Sequence, residues 1–587
     1  MKIEIKIIAT AFFTFSGLFA FSQQQDSVMN KEVEVIKAYQ PSIPDAFKIV
    51  SSPKINDTVK YTPTFDYKIK STLVPVQKSI QNLPVVQLGN PPKYKSNTGW
   101  IKAGFGNAWT PYGEFVLNTS PSRSTDFGIR FYHFSSDPSV KLNNGIKVKS
   151  PYYNDLASFF VKSYFKKAVL DWNLQYERNQ FNYYGFSGDS LLYRETEKIS
   201  TTLNKKQVFN NVSAGACLNN LDLKADLKYN ISLLYNYFWN ATAQKSHHGQ
   251  YKGTYTIDKD QFDFFIHSQF DYFYQDSIQN AYKQLFNHQF VYAGISPQIV
   301  FDRKLWYLKA GLNLSTIIDD DTSAIFHISP KIYFAYYPIK DILTLFAGTD
   351  GNLRTNNYQM MTLKNRYLNY NTEIKPSQDV IELFGGFKGK FSRNISFLFD
   401  VDYTIKSDEP FYFMNQTNYP QASDELSNVF MVDYDDLNVL RFGGNLRYSS
   451  ENVNFSLKGN YYNYKSGNQT PITNLPNFDA MMESSFQITS AIKGRLDATF
   501  IGPRQGEIKM KTYGIDPVSG LLSSPVLTNQ LVDLKTVVAV NLGADYSYNN
   551  KLKFFLDIKN LISQKYEEWP GYNAQGILIM AGASYTF

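Results

Sequence analysis

Histidine is a residue type that often serves in catalysis and in metal binding, and the six histidines of this chain are scattered along the sequence. They stand at His133, His247, His248, His267, His288 and His327. A Ser-His-acid or metal-dependent site needs partners that converge in space, and no nucleophile motif stands beside any of these histidines. A metal pair is conceivable at His247 and His248, but adjacent residues on a strand point to opposite faces, which favours chance polar residues. We therefore predict a protein that is not an enzyme and that has neither a metal site nor a cofactor.

The run Asp319-Asp320-Asp321-Thr322 is the other group of potential metal ligands. Its carboxylates suit calcium, but the run lacks the spaced ligands and the turn glycine of a calcium-binding loop. We interpret it as a solvated acidic loop tip, or as one that bridges anionic lipid through divalent ions. The single Cys217 cannot form an internal disulfide, and the alternation around it directs its side chain toward the interior of the fold.

Aromatic side chains are the best candidates for ligand contacts. Phe181, Tyr183 and Tyr184 lie in one predicted loop, and Phe411 and Tyr412 lie in another. Aromatic faces can stack on sugars or hydrophobic compounds at an extracellular mouth. The alternative, which we favour, is a girdle of aromatic residues at a membrane interface.

The elements that must position these residues are long strands with one apolar and one polar face. In residues 394–406, for example, Phe397 and Phe399 alternate with Asp400 and Asp402. A strand in a soluble protein averages about 5–6 residues, whereas a tilted membrane strand needs about 9–11. The strands of this chain match the membrane length. The mixed charges on the polar face suit a wet interior and indicate no preference for anions or cations.

The connections between these strands supply independent support for a membrane barrel. We count about 22 strands from residue 99 onward, and every second link is a short turn. The largest of the other links are 179–204, 355–378, 407–436 and 504–531. Short turns at one end and long loops at the other are typical of outer-membrane barrels. The even strand number places both termini on the short-turn, periplasmic side.

Composition agrees with a barrel and excludes other classes. Charged residues make up 19% and aromatic residues 16%, and the net charge of +7 includes no long basic run, so we expect no nucleic-acid partner. The mean hydropathy is −0.33. After Phe21 no apolar stretch approaches the 18 residues of a membrane helix. Barrel strands alternate lipid-facing and lumen-facing residues, so an average of hydropathy along the sequence does not detect them.

The first 97 residues differ from the rest. Lys2 and Lys6 precede an apolar run at 7–21 and a small-x-small site at Ala20-Phe21-Ser22, which predicts a cleaved signal peptide at 1–22 rather than an uncleaved anchor. Residues 23–97 are rich in proline and predict an extended segment, either periplasmic or inserted in the lumen. The barrel itself is predicted at 98–587.

The last strand alternates cleanly up to its final aromatic residue. Tyr585 and Phe587 share one face, opposite Ser584 and Thr586. Exposed aromatics on a soluble edge strand would promote aggregation, whereas a closed barrel has no edge. A strand that ends on Phe also resembles the C-terminal sorting signal of bacterial outer-membrane proteins, so Tyr585 and Phe587 are our candidates for a sorting and closing role.

Residues 554–572 carry a more specific resemblance. The strand end Asn560-Leu561-Ile562-Ser563-Gln564-Lys565-Tyr566, then Trp569-Pro570-Gly571-Tyr572, then the final strand, resembles the C-terminus of TonB-dependent receptors. Asp400 to Tyr403 and Tyr434-Asp435-Asp436 before Leu440 resemble barrel segments of such receptors from Bacteroidetes. The resemblance implies a barrel of about 22 strands and interaction with TonB. Residues 23–97 are too few and too rich in proline for the globular plug of that family. Within them, Glu32 to Ala38 loosely resembles a TonB box (Val33, Glu34, Val35, Ile36, Lys37), although an ordinary strand or linker would read the same.

These observations predict an all-β, transmembrane antiparallel barrel in the outer membrane of a Gram-negative bacterium. Its partners would be outer-membrane lipid, the barrel assembly machinery, and either TonB or a surface protein. We expect uptake or passage of a bulky solute across the outer membrane. The alternative is a non-transporting barrel that acts as a scaffold or partner subunit of a surface complex.

Overall fold

The computed structural model describes residues 98–119, 124–143, 145–185, 206–222, 225–242, 244–276, 288–319, 324–417, 428–468, 470–512, 514, 523–524 and 526–587. The predicted signal peptide at 1–22, the segment 23–97 and the TonB-box-like residues Val33 to Lys37 lie outside this part of the chain. Of the acidic run, only Asp319 lies within it.

Long strands account for most of the described residues. The first half contains β1 (Gly99–Gly106), β2 (Thr110–Asn118), β3 (Thr125–Ser136), β4 (Ser139–Lys141), β5 (Lys147–Lys149), β6 (Tyr152–Tyr164), β7 (Ala168–Asn182), β8 (Lys206–Asn220), β9 (Leu227–Asn240), β10 (Lys245–Asp258), β11 (Asp263–Gln275), β12 (His288–Asp302), β13 (Trp306–Asp319) and β14 (Ile325–Ile339). The second half contains β15 (Leu343–Arg354), the helix α1 (Tyr358–Lys364), β16 (Ser377–Lys390), β17 (Ile395–Thr417), β18 (Val429–Ser449), β19 (Val453–Ser466), β20 (Phe478–Gln487), β21 (Ile492–Ile501), β22 (Arg504–Thr512), β23 (Val526–Leu534), β24 (Val537–Ser547), β25 (Leu552–Lys559), β26 (Glu567–Trp569), β27 (Tyr572–Asn573) and β28 (Leu578–Thr586).

Twenty-two of these strands form a closed antiparallel barrel, as the sequence predicts. Neighbours along the chain pair with each other, β21 pairs directly with β24, and β22, β23 and the two small hairpins β4–β5 and β26–β27 stand outside the wall. The sheet closes where β28 pairs with β1, with Ala103 opposite Ala583. The carbonyl of Phe587 accepts hydrogen bonds from the amides of Thr98 and Gly99. Closure therefore leaves no free edge in the wall.

The two faces of the wall differ as the alternation predicts. Phe399 is 47% exposed and Tyr403 is 39% exposed on the outside, whereas Asp402 is 8% exposed and pairs with Arg441 on the inside. An apolar outer face is stable only in contact with lipid. Among the described residues, no helix has the length and apolar character needed to cross a membrane.

The two ends of the barrel differ in the length of their connections. At one end the strands are joined by short turns such as 165–167, 303–305 and 450–452, and Thr98 and Phe587 also lie there. At the other end the connections include 183–205, 355–376 and 502–536. We call these the short-turn end and the loop end. The alternation of short and long links predicted from the sequence is confirmed.

The alternation of apolar and charged residues extends beyond the end of one strand. It begins at Leu221, whereas β9 begins at Leu227. Asp222 accepts a backbone hydrogen bond from Ala225, and its carboxylate lies 3.4 Å from Lys167 Nζ. This turn continues the alternation of apolar and charged residues by chance, so the pattern alone could not locate the end of the strand. Leu223 and Lys224 lie outside the described residues.

The long connections contain more regular structure than the sequence suggests. The loop predicted at 407–436 is largely a continuation of β17 and β18, and the loop predicted at 504–531 contains β22 and the first part of β23. The alternation is interrupted at Asp408, which has a φ of 52°, and the pairing register shifts between Lys406 and Glu409. Such a bulge bends a strand without ending it. The interrupted alternation therefore predicts an end of the strand where the strand in fact continues.

Candidate functional site

The extensions of β17 and β18 are the base of a small second sheet at the loop end. Beyond the bulge, Phe413 to Thr417 pair in parallel with Glu507 to Lys511 of β22, and β22 pairs with β23. On the other side, Leu368 of the connection 355–376 bridges to Phe430 of β18. Segments from three connections thus complete one another's backbone hydrogen bonds. We call this arrangement the loop sheet.

A buried apolar group, largely aromatic, packs against the loop sheet. We call it the aromatic cluster; its members are Phe181, Tyr183, Phe209, Phe238, Tyr358, Met361, Tyr367, Leu368, Tyr412, Met414, Val429, Phe430, Val432, Ile508 and Tyr572. At its centre the rings of Tyr367 and Tyr572 stack with centroids 3.6 Å apart. Trp569 packs edge-on against both Tyr412 and Phe430, at 5.3 Å from each. Aromatic packing of this density gives the loop end a core of its own.

Four of the five predicted ligand aromatics are fully buried. Phe181, Tyr183 and Tyr412 belong to the aromatic cluster, Phe411 is buried as well, and Tyr184 packs partly buried against the cluster. The interpretation of these residues as a lipid-facing girdle is wrong, because they pack against protein. A role in contacting a ligand stays a prediction, and in this conformation it would require the cluster to open.

The aromatic cluster joins opposite sides of the barrel. Counted from β1, β7 is the fifth of the 22 wall strands and β18 is the sixteenth, so the two lie almost across the lumen from each other. Nevertheless Asn428, just before β18, donates from Nδ2 to the carbonyl of Tyr183, just after β7, at 2.8 Å. The hydroxyl of Tyr572 donates to the carbonyl of Asn428 at 2.5 Å. The loops therefore reach across the mouth of the barrel and meet there.

Burial keeps the tyrosines of the cluster neutral. It raises the pKa of Tyr367 to about 12 and holds the pKa values of Tyr358 and Tyr572 well above the ordinary value. A phenolate would have to be desolvated to stay in the cluster, which is unfavourable. The tyrosines of the aromatic cluster are thus uncharged at physiological pH.

An ionic anchor fastens α1 to the wall. Glu409, 10% exposed, forms a close ion pair with Arg354 and lies 3.7 Å from Lys406 Nζ and 3.9 Å from Lys364 Nζ. Lys364 is the last residue of α1, and Asn357 caps the start of the helix by accepting a hydrogen bond from the amide of Met360. Asp379 lies 3.3 Å from Arg354 and 3.8 Å from Lys406 Nζ, so two of the three cations have a second carboxylate. Among the described carboxylates Lys364 pairs with Glu409 alone, so loss of that charge would leave the end of α1 without its ionic partner. We call Glu409, Arg354, Lys406 and Lys364 the ionic anchor.

A partly enclosed cavity of about 390 Å³ lies between α1, the extension of β17 and the inner face of the wall. The wall contributes side chains from β10, β11, β12 and β15, and the loop end closes the cavity with Met360, Met361, Lys364, Pro410 and Tyr412. Its volume falls within the range of about 300–1,000 Å³ in which proteins bind small ligands. We call it the wall cavity.

The histidines and the cysteine lie on different strands or on opposite faces of one strand, although His248 and His288 both pack against Phe273. His247 faces outward, where Tyr235 Oη lies 2.7 Å from its Nδ1, and His248 faces inward, 3.3 Å from Asp271 Oδ1. Cys217 faces the lumen beside Asn219. Asp319 is buried and lies 3.8 Å from His288, so it is not part of a solvated tip. No cluster of His, Cys, Asp and Glu suited to a metal ion occurs among the described residues.

Comparison with known proteins rests on structure alone, since no family model and no curated protein matches the sequence. The FrpB iron transporter from Neisseria meningitidis superposes with a TM-score of 0.61 at 9% identity, covering 84% of this chain and 83% of its own. The siderophore receptor PirA from Acinetobacter baumannii gives 0.60 at 11% identity, covering 84% and 81%. The copper transporter OprC gives 0.59 at 12% identity, covering 85% and 82%.

The fold is that of the barrel of TonB-dependent receptors. The resemblance of residues 554–572 to that family is thereby confirmed at the level of the fold. At the loop end of this barrel, the aromatic cluster and the ionic anchor hold the described parts of the connections together.

Sequence reasoning missed several residues of this site. Glu409, Tyr367 and Tyr572 all fall in segments interpreted as irregular loops. For Tyr572 the sequence does contain a signal, because the aromatic residues Trp569 and Tyr572 around a Pro-Gly turn indicate a small hydrophobic unit. Glu409 cannot be recognised from a periodic pattern, because it is a single carboxylate that follows the bulge where the alternation is interrupted.

Proposed function

We propose that this receptor-type barrel admits a bulky solute across the outer membrane, and that its own loops close the outer mouth between transport events. The observation that carries the proposal is the closed wall of 22 strands, since barrels of this size enclose a lumen that needs a plug or gate. The inner face bears ion pairs such as Lys331 with Asp350 and Arg495 with Asp557, which suit a wet passage rather than a filled core.

The orientation follows from the general asymmetry of outer-membrane barrels. The loop end would face the outside of the cell, and the short-turn end, with Thr98 and Phe587, would face the periplasm. On this orientation Thr98, which follows residues 23–97 in the chain, would lie on the periplasmic side. We propose that Val33 to Lys37 offer an extended peptide to TonB by strand addition.

Conductance of the purified barrel in planar bilayers tests the proposal. Four proteins are compared: the wild type, a deletion of residues 30–95, Tyr572→Ala, and the combination of the two changes. We expect the deletion to raise conductance and the combination to raise it further, because the segment and the aromatic cluster would block the passage in series. Tyr403→Ala, which removes a lipid-facing tyrosine, is the control for Tyr572→Ala. If all four folded barrels stay closed, the protein does not transport.

A second candidate function is that of a partner subunit in a surface complex, and β23 favours it. Among the described strands β23 pairs with β22 alone, so its other edge is unpaired. Its residues Val526, Leu527 and Leu531 are all at least half exposed. An exposed edge with apolar side chains is a template for strand addition by another protein. Closed barrels in the conductance experiment, together with copurification of a surface protein, would support this candidate.

A further inference from the structure

We propose that the wall cavity binds the acidic, hydroxyl-bearing part of the solute, that is, a small hydroxylated organic anion or the end of a larger molecule that carries one. This inference rests on the proposed function, since it names the class of solute. It follows from the charges, the neutral polar groups and an unsatisfied hydroxyl that line the cavity.

The charged residues that line the wall cavity are all cationic. They are Lys252 of β10, Arg354 of β15 and Lys364 of α1. Arg354 and Lys364 are already engaged by Glu409 in the ionic anchor. Lys252 forms no ion pair with any carboxylate that the structure describes, and it faces the cavity from the wall. Its ammonium group is therefore available for an anion.

The neutral polar groups around Lys252 suit hydroxyl groups. Gln250 and Gln269 donate from their amide nitrogens to Asp271, at 2.6 Å and 2.5 Å, and Asp271 is fully buried behind them. A primary amide carries two N–H groups, so each glutamine keeps one donor and its oxygen acceptor for a ligand. Both residues line the cavity. Asn352 and Asn356 add amides on the other side. Acceptors close to a cation match a ligand that carries both hydroxyl groups and a negative charge.

Tyr412 supplies the second, independent indication of a ligand. It is 6% exposed and lines the wall cavity, and its hydroxyl has no hydrogen-bond partner in the described structure. The Nε of Arg354, which lines the same cavity, also lacks an acceptor there. A buried donor without a partner is costly to the folded protein, so each such group normally has one. An anionic, hydroxylated ligand would satisfy both donors.

Titration calorimetry on the purified full-length protein in detergent tests the inference. The probes are gluconate, sorbitol, which is a neutral polyol of the same carbon number, and glucose 6-phosphate. We expect gluconate or glucose 6-phosphate to bind at least about tenfold more tightly than sorbitol, because a charge-assisted hydrogen bond to Lys252 is lost with the neutral probe. The comparison of the two anions tells whether the cavity prefers a carboxylate or a phosphate.

Variants assign the binding to the cavity. Lys252→Gln should abolish the preference for the anion over sorbitol. Tyr412→Phe should lower the affinity for the anion about fivefold and leave that preference in place. Each variant has a matched control. Lys458→Gln changes another inward-facing lysine, far around the wall from Lys252. Tyr403→Phe removes a lipid-facing hydroxyl from the same strand as Tyr412. Heat-modifiable mobility on gels confirms that each variant is folded.

The possible outcomes separate this inference from the proposed function. Equal affinity for gluconate, glucose 6-phosphate and sorbitol, failure of all three to bind, or equal effects of the variants and their controls would each overturn the inference. Conductance could still be found in those cases, and the proposed function would stand. Conversely, a barrel that never conducts but binds the anion with the expected variant effects would refute transport and retain the cavity as a binding site.

Discussion

Phe399 and Asp400 are neighbours in β17 whose side chains point to opposite faces of the wall. We predict that Phe399→Arg lowers the free energy of unfolding by about 2–4 kcal/mol, because it places a charge in the middle of the lipid-facing surface. Asp400→Asn should change it little, since Arg441 keeps its ion pair with Asp402 at 2.5 Å. Urea unfolding followed by heat-modifiable mobility measures both. Equal tolerance at the two positions would contradict the assignment of faces.

Tyr367 makes the stability of the aromatic cluster depend on pH in the alkaline range. An unfolded tyrosine ionises near pH 10, whereas burial raises the pKa of Tyr367 to about 12. The folded state thus holds the proton more tightly, so this residue's contribution to stability is complete below pH 10 and is lost as the pH rises through about 12. The difference in tyrosinate absorbance between the wild type and Tyr367→Phe should have its midpoint near pH 12. A midpoint near 10 would mean that Tyr367 is solvated.

Individual site residues were only partly predictable from the sequence. The lumen-facing carboxylates Asp400 and Asp402 were placed correctly, because their alternation with Phe399 and Val401 directly reports the two faces. The aromatic residues Phe181 and Tyr412 were singled out, but their burial was not foreseen. Phe181 packs against Tyr367, which is 186 positions away, and Tyr412 packs against Trp569, which is 157 positions away. A periodic pattern carries no information about such contacts.

The helix α1 depends on the ionic anchor, and Glu409 is its centre. We predict that Glu409→Gln loosens the connection 355–376 by about 1.5–3 kcal/mol, the usual value for hydrogen bonds to charged groups. Hydrogen exchange of α1 and trypsin cleavage after Lys364 should both become faster. Glu373→Gln changes an exposed carboxylate of the same connection, which pairs only with Lys375 at 3.0 Å among the described residues, and should have no effect. Equal protection of α1 in the two variants would exclude the anchor role.

The elements of the wall were predictable because the membrane imposes both their length and their alternation. The prediction ended β17 near Lys406, where the bulge at Asp408 breaks the pattern, and it left α1, β22 and β23 as loops. β22 and β23 pair with each other in the loop sheet, and α1 packs into the aromatic cluster through Tyr358 and Met361. Segments stabilised by distant partners need no strong local signal, so the sequence could not reveal them.

The whole barrel has one orientation in the membrane, and tags inserted into its connections test it. An epitope at Gly188 or near Pro517 lies in a connection of the loop end, and one at Asn549 lies in a turn of the short-turn end. We expect antibodies to reach the first two on intact cells and the third only after the outer membrane is permeabilised. Labelling of Asn549 alone on intact cells would reverse the orientation.

At the level of the whole molecule, fold class, strand number and the difference between the two ends were all read from the sequence. Each follows from a repeated pattern that many residues report together. How the loop end folds over the lumen was not predictable, since it rests on single contacts such as that between Asn428 and Tyr183.

The aromatic cluster couples the closure of the mouth to the closure of the wall. Tyr184 donates to the carbonyl of Asn573, and the two residues are 389 positions apart in the chain. Tyr572, at the centre of the cluster, precedes β28, the strand that seals the wall against β1. The segment that completes the aromatic cluster is therefore continuous with the strand that completes the cylinder. Until β28 pairs with β1, Tyr572 has no fixed position, so we expect the cluster to be complete only in a closed wall.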